Sequence, residues 1–138
     1  MDKILYVLGL AAVVFLAWED IKTRKINGLL AGGVWAAAVL LKFLGIGDSA
    51  DILLCAGAGA VFICISYLSC SFGMGDALAI GMVFGCLNFA DGIQVVMMSF
   101  IFISAAGLIL LVLKKAGRKT TMPYVPWLMA AYLIGGLL

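Results

Sequence analysis

Residues 93–113 read IQVVMMSFIFISAAGLILLVL, without one charged side chain. A helix needs about 20 predominantly apolar residues to cross the hydrocarbon of a bilayer, and this run has that length. Asp91 precedes it, and Lys114 and Lys115 follow it. The same pattern recurs outward in both directions. Further apolar runs fall at 4–19, 28–45, 52–72, 77–90 and 123–138. The connections IKTRKIN (21–27), GIGDSAD (45–51), the region around GMGD (73–76), NFADG (88–92) and KKAGRKTTM (114–122) hold eleven of the sixteen charged residues. The pattern predicts an all-α, polytopic membrane protein, a bundle of about six transmembrane helices forming a single domain over residues 1–138. The fourth and sixth runs are short for a full crossing, so tilt of their neighbours or local thinning must absorb the mismatch.

Composition agrees. Of the 138 residues, 66% are apolar and 12% charged, and the mean hydropathy is +1.25. Soluble domains carry about a quarter charged residues. In lipid a helix satisfies its own backbone, whereas a transmembrane barrel would alternate apolar and polar residues in segments of about ten, which is not seen here. Residues 1–20 resemble a secretory signal, with Lys3 ahead of an apolar stretch. Ala17-Trp18-Glu19 is not a small-x-small cleavage site, so the segment reads as a retained first helix.

Histidine is absent. Ser-His and Cys-His nucleophilic mechanisms, His-based zinc proteolysis and imidazole base catalysis are therefore excluded. Cys55, Cys64, Cys70 and Cys86 lie in or beside apolar runs without a CxxC pair. They read as small apolar packing residues, not metal ligands.

The cations set an orientation. All but Lys3 and Lys42 of the nine Lys and Arg residues fall in two loops, as Lys22, Arg24 and Lys25, and as Lys114, Lys115, Arg118 and Lys119. With six crossings these loops share one side, which the positive-inside rule makes cytoplasmic, leaving both termini outside. Small residues at four-residue spacing, Gly28/Gly32/Ala36 and Ala77/Gly81/Gly85, predict close helix packing on the second and fourth helices.

Two acids stand out. Asp20 closes the first apolar run and Asp76 opens the fourth, and parity places both at the cytoplasmic end of their helices. An acid at a helix centre in hydrocarbon costs about 2.5–3.5 kcal/mol, less near the interface, and such residues tend to mark function. Two close carboxylates cannot both ionise readily, so one holds a proton while the other takes one from water. Such a pair suits attack of water on a peptide carbonyl, which requires no metal, cofactor or histidine. The plain structural alternatives are an ion pair of Asp20 with Arg24, four residues on, and an N-cap role for Asp76. Asp76 is preceded by Gly73-Met74-Gly75, and the two glycines permit a close or unusual backbone path beside it.

Three stretches, AWEDIKTRKINGLL (17–30), GMGDALAIGMVFG (73–85) and MPYVPWLMAAYLIGG (122–136), resemble the type IV prepilin peptidases, which are GxGD membrane aspartic peptidases. Their order and spacing extend the resemblance over nearly the whole chain. It implies that Asp20 and Asp76 are the catalytic aspartates, with Gly73 and Gly75 supporting the motif. It further implies cleavage of the short basic leader of prepilin-like membrane proteins at the cytoplasmic face of the cell membrane. Membrane lipids are the other partners, with no cofactor, metal or nucleic acid. Asn27-Gly28 stands where the family usually has Pro-Asn, and Leu78 where it usually has Lys. The chain is similar to the short forms, lacking the cysteine-bearing cytoplasmic domain. Presenilin-type proteases are less similar, since Glu19 occupies the place of their Tyr. The competing readings are a small transporter using Asp20 and Asp76 as an ion site, or an inactive assembly protein using them as structural caps.

Overall fold

The computed structural model describes residues 3–23, 25–46, 48–69, 73–113 and 122–135. Its elements are all helical: α1 (Lys3–Thr23), α2 (Gly28–Leu41), continued by a π-helical turn at Lys42–Ile46, then α3 (Ser49–Ser69), α4 (Met74–Cys86), α5 (Phe89–Val112) and α6 (Val125–Gly135). Each apolar run of the sequence forms one helix. Boundaries differ where polar residues extend a helix. α1 continues through Asp20 to Thr23, and α5 begins at Phe89 with Asp91 in its first turn, where a carboxylate suits the helix dipole. Arg24, Cys70, Lys114, Lys115, Arg118 and Lys119 lie outside the described residues.

α1, α3 and α5 are long and apolar enough to cross a membrane, while α2, α4 and α6 are shorter. The outer surface is itself apolar, with Leu29 90%, Leu68 81% and Leu53 77% exposed. Apolar exposure on this scale marks a surface made to meet another apolar phase.

The centre of the bundle is α4. It packs on α1, α2, α3 and α5, and Ala77 and the unbroken run 79–86 are buried. A helix apolar all round belongs in an interior. Its small residues explain how four neighbours fit around it. A Cβ on Gly85 would lie 3.1 Å from Trp35 and 3.3 Å from Ala38 of α2, and Gly81 sits against Gly59 of α3. The Trp35 indole fills the slot among Gly59, Gly81 and Gly85, where a Cβ on Gly59 would stand 2.8 Å from Nε1. The small-residue ridge of α4 thus packs as its spacing predicts. On α2 only part of the expected ridge does so: Gly28 and Gly32 receive Leu78, whereas Ala36 is exposed.

At the end of α4 away from Asp76, a polar cluster joins three elements. Lys42, 3% exposed, donates through Nζ to the Leu87 carbonyl at 2.6 Å and pairs with Asp51 Oδ2 at 3.1 Å. Asp51 Oδ1 accepts the Phe89 N–H at 2.8 Å. One ion pair, its lysine buried and its aspartate half-buried, therefore meets the Leu87 carbonyl at the end of α4 and the Phe89 amide at the start of α5, each favoured by the sign of the helix dipole there. Cys55, also buried, lies 3.4 Å from Lys42 Nζ and so touches a polar group as well as packing. Across the bundle, α1 and α6 are tied by reciprocal bonds: Tyr6 donates to the Tyr132 carbonyl at 3.4 Å, and Tyr132 to the Tyr6 carbonyl at 3.3 Å. Their rings stack with centroids 5.1 Å apart.

Candidate functional site

The two aspartates singled out by sequence share one cavity of about 510 Å³. Asp20 comes from the last turns of α1. Lys25 and Ile26 come from the α1–α2 loop, Gly73, Gly75 and Asp76 from the start of α4, and Met122, Pro123 and Tyr124 from the entry to α6. Asp20 and Asp76 are near enough for the charge of one to act on the other.

Their surroundings differ. Asp20 is 5% exposed, and its Oδ2 accepts the N–H of Val125, the first residue of α6, at 3.2 Å. That amide is one of the orphan donors of a helix start, so the carboxylate caps α6 from a distance of 105 residues in sequence. Asp76 stands in the first turn of α4, whose N-cap is Gly73 with no side-chain cap bond. The N-cap role considered for Asp76 thus belongs to Gly73. The Asp76 carboxylate makes no side-chain hydrogen bond among the described residues and faces the cavity.

Both motif glycines are explained by close approach. Gly73 has an ordinary extended backbone, φ −62° and ψ 131°, and a Cβ on it would lie 3.1 Å from Asp76 Oδ2. A Cβ on Gly75 would lie 2.7 Å from the Cβ of Ile26. Ile26 therefore rests on the α4 backbone one residue before Asp76, and this contact holds the α1–α2 loop against the site.

The loop is short and braced from within. Thr23 Oγ1 lies 2.8 Å from the Glu19 carbonyl and 3.1 Å from the Lys25 carbonyl, and the Lys25 N–H donates back to it at 3.3 Å. Glu19 Oε2 accepts the Asn27 N–H at 3.3 Å, and Asn27 Oδ1 accepts the Leu30 N–H at 3.4 Å, capping α2. Asn27, which stands where the family that the chain resembles usually has Pro, is thus the N-cap of α2. Glu19, a neighbour of Asp20 in sequence, is a brace for the loop. Leu78 lies in the groove of Gly28 and Gly32 and is not among the residues lining the cavity.

In the sequence Lys25 reads only as a topology signal, and nothing there singles out Ile26, Met122, Tyr124 or Ser99. Ser99 is fully buried and bonds the Tyr124 hydroxyl at 2.7 Å. Its signal was a hydroxyl inside a charge-free run, which by itself points to no partner.

Comparison with protein-family models, with curated proteins and with solved structures gives no match to the chain. The geometry of the site therefore carries its chemistry.

The glycine contacts give a direct test of the site's construction. Gly75→Ala forces a Cβ into Ile26, and overpacking of this kind costs about 1–3 kcal/mol. Gly33→Ala on α2 meets nothing within 4 Å and gains helix propensity, so it is neutral or stabilising. Thermal unfolding in detergent should lower the midpoint for Gly75→Ala and not for Gly33→Ala; equal midpoints would contradict the packing described.

Proposed function

We propose that the chain is a membrane aspartic endopeptidase of the type IV prepilin peptidase kind, which removes the short basic leader of prepilin-like precursors. The observation that supports this is the meeting of Asp20 and Asp76, from helices far apart in sequence, in one cavity. Two carboxylates facing one space can hold a water between them. One takes a proton from that water as it attacks the scissile carbonyl, and the other, protonated, donates to the developing oxyanion. Collapse of the tetrahedral adduct breaks the C–N bond and passes a proton to the leaving amine. Carboxylates and water suffice for every step.

In this reading the basic loops lie in the cytoplasm and both termini outside, with all six helices inside the bilayer. The cavity then opens at the cytoplasmic face of the cell membrane, at the depth where a leader meets its apolar helix. Where partners are seen at the ends of the short helices they are protein groups: Asn27 at the start of α2, Lys42 at the end of α4 and Asp20 at the start of α6.

A structural role for the acids has one observation in its favour, the cap that Asp20 provides to α6. Among the described residues Asp76 has no comparable bond, and capping alone leaves its position in the cavity without a purpose. The two readings separate by experiment. Asp20→Asn and Asp76→Asn should each lower hydrolysis of a prepilin-like peptide by about 10²–10⁴-fold, while the purified variants still unfold cooperatively. Near-normal turnover by either variant would remove the dyad. Topology is tested by single cysteines in a cysteine-free background. A cysteine at Lys22 should be labelled only from the cytoplasmic side and one at Asp48 only from outside; the reverse pattern would overturn the orientation.

A further inference from the structure

Among the described residues, the Asp20 carboxylate receives one hydrogen bond, and it comes from the backbone of Val125. Its direction is therefore set by whatever holds the start of α6. The helix begins on the carbonyl of Tyr124, which accepts the Trp127 and Leu128 N–H groups at 3.1 and 3.2 Å. Tyr124 is 6% exposed, and its side chain runs into the core to meet Ser99 of α5, which is 0% exposed.

The protons in this contact have one arrangement. Ser99 Oγ lies 2.7 Å from the Val96 carbonyl, which can only accept, so the single serine proton goes there. The Tyr124 hydroxyl, 2.7 Å from Ser99 Oγ, must then donate to the serine. The chain Tyr124 O–H to Ser99 Oγ, and Ser99 O–H to Val96 carbonyl, fixes the tyrosine to the α5 backbone without ambiguity. The Phe100 ring, centroid 5.8 Å from that of Tyr124, closes on its side. The next peptide N–H along the chain from Tyr124 is the one that Asp20 accepts.

We infer that Tyr124 and Ser99 are positioning residues for Asp20, aiming its carboxylate through the first turn of α6. This rests on the proteolytic reading of the Asp20–Asp76 site. Reacting groups misplaced by about 1 Å can lose on the order of a hundredfold in rate, so a bond that aims one of the two carboxylates affects turnover more than substrate binding.

The test uses the purified full chain, a prepilin-like peptide, and the variants Tyr124→Phe and Ser99→Ala. Each should lower kcat about tenfold or more while KM stays within about twofold. The double variant should be no slower than the slower single one, because both act through one chain of bonds. A readout independent of activity is the amide resonance of Val125, which should move in Asp20→Asn and also in Tyr124→Phe and Ser99→Ala. Wild-type kcat in Tyr124→Phe beside an inactive Asp20→Asn overturns the positioning role and leaves the dyad standing. A raised KM at unchanged kcat makes Tyr124 a substrate contact and also overturns it. If Tyr124→Phe does not fold, Ser99→Ala decides, since it keeps the ring; an unmoved Val125 resonance there refutes the inference. Full turnover by Asp20→Asn instead defeats the proteolytic reading itself.

Discussion

The structure depends on α4 being short and buried on every side. Its 13 residues span about 20 Å at ~1.5 Å per residue, against about 30 Å of hydrocarbon. The C-terminal end of a helix enclosed in this way lies inside protein, where unsatisfied backbone groups are costly. The far end is met by Lys42, whose ammonium takes the Leu87 carbonyl while Asp51 holds the Phe89 amide. The near end begins at Gly73 without a side-chain cap, and there the cavity opens. One end of α4 is thus sealed by an ion pair and the other is left open with Asp76 on its first turn.

The open end is built by close approach more than by unusual backbone. Gly75 lets Ile26 rest on α4, which brings the α1–α2 loop to the rim, and Thr23, Glu19 and Asn27 brace that loop from within. α6 arrives from the other side and is tied to the last turns of α1 by the bond from Val125 to Asp20. Asp20 is therefore a structural link and a member of the carboxylate pair at once. The two acids differ as a result: Asp20 is held by a neighbouring helix, and Asp76 faces the cavity. Unequal surroundings of this kind are what assign different roles to two like groups.

Much of this is legible in the sequence. Runs of apolar residues located all six helices, because in an apolar setting length and lack of charge decide what forms a helix. Helix ends were less legible: α1 extends through Asp20 and α5 starts ahead of Asp91, since a carboxylate in a last or first turn does not stop a helix whose neighbours accommodate it. Asp20 and Asp76 stand out in the sequence by their cost in such a chain, and both line one cavity. The partners of those acids were out of reach. Val125 contributes a backbone amide, which every residue but proline carries. Ser99 and Tyr124 meet only through the packing of α5 on α6. Ala36 shows the opposite failure, fitting the small-residue spacing of α2 yet facing outward. A four-residue repeat marks one stripe of a helix, and the neighbours decide how much of it is covered.

The central claim is that the Asp20–Asp76 cavity cuts a peptide bond at the boundary between a polar leader and an apolar helix. It is tested most directly by incubating the purified chain with a prepilin-like precursor, one with a basic leader ending in Gly followed by an apolar helix, and locating the cut by mass spectrometry. The account predicts a single cut immediately after that Gly, lost when the Gly is replaced by Leu. A cut several residues inside the apolar helix, or no cut by a folded wild-type chain, would contradict it.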